Sequence, residues 1–118
     1  MGSKGIFFQD LYTNFNERNI EAVIAQMSAD VKWANGMEGG HVYGHKGVRE
    51  YWTRQFTMVS ANVTPIQIDN EGDRFKIKVH QVVHDIDGKL LADEMLYHLF
   101  LLQDNKVAEF DIGEKFEQ

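Results

Sequence analysis

The apolar positions change period halfway along the chain. Phe7, Phe8, Leu11 and Phe15 recur at helical spacing and predict an amphipathic helix over residues 4–16. Asn19 can cap a second helix, in which Ile20, Val23, Ile24 and Met27 fall at i, i+3, i+4 and i+7. A short strand over residues 30–34 follows. Beyond the stretch "WANGMEGGHVYGHKG", Val48, Trp52, Phe56 and Val59 line one side of a third helix, roughly residues 46–59.

From Asn62 the period becomes two. "NVTPIQID" leads to a turn at residues 70–73, and "RFKIKVHQVVHD" reads as one long strand. "DIDGK" predicts a tight hairpin in which Asp87 and Gly88 supply the positive backbone angles of a primed turn. "LLADEMLYHLFLL" returns, "QDNK" turns again, and "VAEFDIG" is the last strand. Helices followed by an antiparallel meander make an α+β fold in which one sheet face must be buried on the helices.

Length and charge narrow the functional classes. The 118 residues suit a single domain, residues 1–118, in which the leading "MGS" reads as an expression scar. No apolar run approaches the ~20 residues of a membrane helix, and no signal segment is visible. With no cysteine, thiol catalysis, thiolate metal sites and disulfides are excluded, which fits a cytoplasmic protein. The net charge of −6 argues against a polyanion partner. The basic residues Arg74, Lys76 and Lys78 alternate with Phe75, Ile77 and Val79, as on a strand with one wet face.

The glycine-rich stretch invites a metal or phosphate reading, and its spacing supports neither. His41 and His45 are four apart, but Gly39, Gly40 and Gly44 make a helix there improbable. His80 and His84 share a strand face about 13 Å apart, too far for one metal. Neither GxxxxGK[ST] nor GxGxxG occurs, so no cofactor is expected. Asp93 and Glu94 stand side by side in an apolar strand, so their side chains face opposite ways. Asp93 shares its side with Met95, Tyr97 and Leu99; Glu94 shares the other with Leu96, His98 and Phe100. A carboxylate on the covered side tends to a raised pKa and can serve as general acid or base. If the pair instead lies near the strand end, both carboxylates reach water. In the last strand Phe110 faces a core, and Asp111 turns outward toward a salt bridge or subunit contact.

"NFNERNIEAVIAQMSADVKW", "GHKGVREYW" and "YHLFLLQDNKVAEFDI", in that order, resemble the SnoaL-like and ketosteroid-isomerase-like branch of the nuclear transport factor two-like superfamily. The resemblance covers nearly the whole chain. It implies three N-terminal helices packed in a strongly curved antiparallel sheet, a cystatin-like roll forming a cone with one deep apolar pocket. It also implies a homodimer through the outer sheet face. Ketosteroid isomerases move a proton with an Asp base while a Tyr and a protonated Asp hold the oxyanion. Laid on this chain, the base falls on Asn35, the Tyr on Leu11 beside Tyr12, and the second Asp near Tyr97. Asn35 cannot take a proton near neutral pH, so the standard isomerase mechanism is excluded, while Asn35 and Tyr97 can still hydrogen-bond a ligand carbonyl.

The same comparison turns Tyr97, Met95 and Asp93 toward the pocket, with His80 and Val82. Simple alternation turns Phe75, Ile77 and Val79 inward instead, and a bulge would reconcile the two. Two functions follow. One is a cofactor-independent isomerase, cyclase or dehydratase acting on a small apolar carbonyl compound. There Asp93 or His80 is the acid or base, Asn35 and Tyr97 polarise the oxygen, and Trp33, Trp52, Phe56 and Met95 form the walls. The other is a non-catalytic binding or association domain of the same fold, with His98, Phe100 and Leu102 as a dimer seam.

Overall fold

The computed structural model describes residues 2–36 and 38–115; Met1 of the leading "MGS" lies outside them. The elements run α1 (Gly2–Asn16), α2 (Ile20–Ile24), β1 (Met27–Ala34), β2 (His41–Tyr43), α3 (Gly44–Gln55), β3 (Val59–Glu71), β4 (Arg74–Asp85), β5 (Leu90–Gln103) and β6 (Lys106–Lys115). The expected α+β order therefore holds, and β4 has the predicted bounds. β2 was not expected, and two junctions shift by three residues or more. Met27 opens β1 instead of closing α2, because it pairs with Val107 of β6. The third helix stops at Gln55, and Val59 starts β3 by pairing with Asp85.

The six strands form one sheet in the order β2-β1-β6-β5-β4-β3. The antiparallel meander expected from the sequence spans β3 to β6. β1 adds a parallel pairing to β6, and β2, the rim of the glycine-rich stretch, pairs antiparallel with β1. α1 rests on β3 at one edge, while α3 rests on β1 and β2 at the other. A sheet that reaches the helices from both edges is curled around them. Register shifts at 65–67, 83–84, 96–98 and 101–102 supply the bends.

Gly88 alone has a positive φ in the Asp85–Lys89 hairpin, so Asp87 does not contribute as expected. Asp85 Oδ1 accepts the N–H groups of Asp87 and Lys89 instead. The tight turn with two positive φ values is at Asp104 and Asn105.

The core lies between helices and sheet. Phe8 of α1 meets Phe75 and Phe100 at 5.2 and 4.9 Å between ring centres. Val23, Val31, Val48 and Val107 are fully shut off from water. Asn16 closes α1 onto the sheet edge: its amide donates to the Val63 carbonyl and accepts the Val63 N–H, each at 2.9 Å. Those groups point away from β4 on an edge strand and would otherwise lack partners.

Candidate functional site

The core does not fill the curl. A cavity of about 410 Å³ remains, within the range of small-molecule sites. Its walls come from α1 (Leu11, Tyr12, Phe15), α3 (Tyr51, Trp52, Gln55) and the inner faces of β1 and β3–β6. On β4 and β5 the inner rows are Phe75/Phe100, Ile77/His98, Val79/Leu96 and Gln81/Glu94. Trp33 stacks on Phe110 at 4.2 Å and meets Trp52 edge-on at 5.3 Å, which makes one wall stiff and aromatic.

One end of the cavity carries a polar pair. The Tyr12 hydroxyl and His98 Nδ1 are 2.8 Å apart, with the residues 3 % and 7 % exposed. Burial among Phe100, Phe110 and Ile77 pushes the His98 pKa down to about 3 and the Tyr12 phenol up. Both are neutral from mildly acidic to alkaline pH. A neutral tyrosine and a neutral imidazole hold two polar hydrogens between them, and their mutual bond uses one. One O–H or N–H is therefore left over in either tautomer. Among the described residues, neither group has a second hydrogen-bond partner. That leftover donor is suited to an acceptor oxygen on a bound molecule.

The half-buried end is different. Gln81 and Glu94 face each other across the β4–β5 ladder and both line the cavity. Gln55 also lines it, with an Oε1 that is buried and has no hydrogen-bond partner among the described residues.

Several expected site residues lie elsewhere. Asp93 and His80 are on the outer face of the sheet, bonded to each other at 2.7 Å with side chains 54 % and 41 % exposed. Met95 and Tyr97 share that face, and the Lys76 ammonium sits 4.4 Å from the Tyr97 ring centre. No register shift falls between Phe75 and Val83 in the β4–β5 ladder, so plain alternation holds and the resemblance-based register is one residue out. A one-residue slip turns every side chain to the other face. His98, Phe100 and Leu102 are accordingly core-facing and do not form an outer seam. Asp111 is outward as expected, and its partner is His41 at 2.6 Å.

Trp33 and Trp52 do line the cavity. Phe56 packs behind that wall on Phe15 and Trp52. Asn35 adjoins the cavity between two lining residues but is spent on the rim turn. Its side chain accepts the Glu38 N–H at 2.9 Å and donates to Glu38 Oε1 at 3.1 Å. Glu38 in turn binds Arg54 of α3.

Sequence reasoning passed over Tyr12, Gln81 and His98. The signals existed: Tyr12 is four residues from Phe8 on the α1 stripe, and His98 alternates with Leu96 and Phe100. The resemblance pointed to Leu11 and Tyr97, each one residue short of the pair that meets.

Among solved structures, the fold is similar to TerC co-crystallised with polyporic acid (25 % identity, 89 % of this chain and 85 % of that one, TM-score 0.80). It is also similar to an NTF2-like protein of unknown function from Burkholderia pseudomallei (21 % identity, 89 % and 85 % covered, TM-score 0.80). A third is a candidate polyketide cyclase from Pseudomonas putida (14 % identity, 91 % and 87 % covered, TM-score 0.79). No curated protein sequence matches the chain. The model of the SnoaL-like domain matches residues 8–110, most of the helices, the cavity walls and the sheet. On that match and the fold, the chain belongs to the SnoaL-like domain family.

Proposed function

We propose that the protein binds a small, largely apolar carbonyl compound in the cavity, its oxygen accepting the hydrogen left over by the Tyr12–His98 pair. That leftover donor, buried in an aromatic-walled cavity, carries the reading. A preorganised neutral donor at a developing oxyanion is worth most where water is excluded. The similarity to TerC, which was crystallised with polyporic acid, and to a candidate polyketide cyclase supports a small-molecule or cyclase-type role.

Proton transfer of the isomerase, cyclase or dehydratase type would use Glu94, the one carboxylate on the cavity wall among the described residues. A second reading, binding without turnover, draws support from the spacing: Glu94 is four residues, about 13 Å of strand, from His98. A base must come within about 3 Å of the proton it takes. Exchange in heavy water separates the two. The wild type should catalyse deuterium uptake into small α,β-unsaturated ketones, followed by NMR, and Glu94→Gln should abolish it. Binding without uptake selects the second reading. No binding by any ketone, or a Tyr12→Phe variant that binds as well as wild type, removes both.

We also infer that a second copy of the chain covers the outer sheet face. The outward residues of β5 (Met95, Tyr97, Leu99, Leu101) form an apolar strip. Beside it on β4 stand Arg74, Lys76, Lys78 and His80, and on β6 Glu109 and Asp111. Arg74, Leu101 and Glu109 share one row; Lys76, Leu99 and Asp111 share the next. A two-fold axis along β5 brings Arg74 and Lys76 over the partner copy's acids of the same rows and leucine over leucine.

A further inference from the structure

Of the asparagines in the chain, Asn35 alone is followed by glycine. That pair carries a chemistry of its own. The backbone nitrogen of a following residue can attack an asparagine side-chain carbonyl, and glycine, with no Cβ, obstructs the approach least. Here the Gly36 nitrogen, its proton lost to base, would bond to Asn35 Cγ. The Cγ–Nδ2 bond breaks and Nδ2 leaves as ammonia. Water then opens the cyclic imide. Opening at Cγ gives aspartate; opening at the backbone carbonyl gives isoaspartate, with the chain running through Cγ.

The fold opposes the first step. Attack needs the Gly36 nitrogen stripped of its proton and the Asn35 amide free to turn. The Gly36 N–H donates to Tyr51 Oη of α3 at 3.0 Å. Asn35 Oδ1 accepts the Glu38 N–H at 2.9 Å, and Nδ2 donates to Glu38 Oε1 at 3.1 Å. Arg54 grips the same Glu38 oxygen from α3 at 3.2 Å. The Asn35 backbone is tied as well: its N–H donates to the Gly40 carbonyl and its carbonyl accepts the Gly39 N–H, each at 2.9 Å. Nor is the glycine freely replaced. A Cβ on residue 36 would stand 3.2 Å from Ile112 Cδ1, tighter than ordinary contact.

The product would not fit the same turn. A carboxylate in place of the Asn35 amide sets two acids where Nδ2 now meets Glu38 Oε1, and like charges at that range repel. Asn35 lies between Ala34 and Gly36, both on the cavity wall, so a change in the turn reaches the cavity.

We propose that Asn35–Gly36 is a latent deamidation site. Tyr51 and Glu38 hold it in check, and its conversion to aspartate or isoaspartate loosens the cavity rim. The chemistry is independent of what the cavity binds.

Storage in mildly alkaline buffer, followed by digestion and mass spectrometry, reads the conversion as the amide-to-acid mass gain in the peptide that holds Asn35. The native wild type should convert more than about ten-fold more slowly than the same chain in urea, because the reaction waits on local opening. Tyr51→Phe, folded by its thermal melt, should convert about ten-fold faster than native wild type, the scale of one hydrogen bond, and at the same rate in urea. Glu38→Ala, which releases the Asn35 amide, should also convert faster, so the outcome does not depend on one variant folding. Asn16→Ala, weakened at the opposite edge of the sheet, should convert near the wild-type rate. Conversion of native wild type at the urea rate, or of both rim variants at the wild-type rate, overturns the proposal. Equal acceleration in Asn16→Ala would assign the protection to global stability and overturn the role of the rim. Asn35→Asp, the product made directly, should exchange the amide hydrogens of residue 35 and Gly39 faster than wild type. Unchanged exchange there overturns the loosening.

Discussion

His98 is the one histidine of five that the fold buries, and its burial has a measurable consequence. Its pKa falls from an ordinary 6.5 to about 3, so the native state refuses a proton that the unfolded chain accepts. Between about pH 6.5 and 3 the unfolded chain binds more protons, and stability drops as the pH is lowered. The slope is at most about 1.4 kcal/mol per pH unit, or about 2 kcal/mol between pH 6.5 and 5. Above about pH 7.5 the imidazole is neutral in both states and contributes no slope. His98→Asn can still pair with Tyr12 and does not titrate. Urea unfolding at pH 7 and pH 5 should therefore show wild type losing more stability than His98→Asn. Parallel losses would mean that the imidazole takes up its proton in the native state. The same neutrality makes His98 a hydrogen-bonding group for an oxygen and not a general base at neutral pH.

At the scale of elements, the shape of the cavity depends on how α1 meets the sheet edge. Asn16 occupies the outward N–H and C=O of Val63, a cavity-lining residue of β3. Asn16→Ala removes two bonds and leaves those backbone groups half-buried, at a cost of about 2 kcal/mol in urea unfolding. Asn16→Asp, which can accept but not donate, should fall between. A loss below about 0.5 kcal/mol would show that water replaces the amide. Legibility also varied by element. The bounds of β4 were readable because turn residues flank an uninterrupted alternation. The junction of α2 and β1 was not, since Met27 continues a helical stripe and only its pairing with Val107 assigns it to the sheet. Alternation correctly grouped Glu94, Leu96, His98 and Phe100. It could not say which group faced inward, because β5 carries apolar side chains on both faces: Leu96, Phe100 and Leu102 on one, Met95, Tyr97, Leu99 and Leu101 on the other.

For the whole molecule, the outer face should decide the oligomeric state. Among the described residues neither Arg74 nor Lys76 has an ion-pair partner, and the Lys76 ammonium sits over the Tyr97 ring. A groove of about 460 Å³ runs beside them, bounded by Leu99, Leu101, Glu109 and Asp111. Light scattering after size exclusion should find a dimer at tens of micromolar. The double variant Arg74→Glu, Lys76→Glu should be monomeric, because it sets acid against acid across the two-fold axis. A monomeric wild type would remove the interface. Among the described residues no helix is long and apolar enough to cross a membrane.

The amino-acid sequence by itself determined the order of helices and strands except β2, the places of the hairpins and the pairing of side chains by face within each strand. Period, turn chemistry and alternation are local, and each is written within a dozen residues. The glycine-rich stretch was likewise readable as neither a metal nor a phosphate loop; it forms the rim, with Gly44 held at φ 72° where a side chain would be strained. Only the tertiary structure decided which parity of β4 and β5 meets the helices, and with it the exchange of Asp93 and His80 for Glu94, Gln81 and His98. It alone brought Tyr12 and His98, 86 residues apart, to 2.8 Å. The separation of two elements is set by how the core fills the space between them, and neither segment carries that information alone.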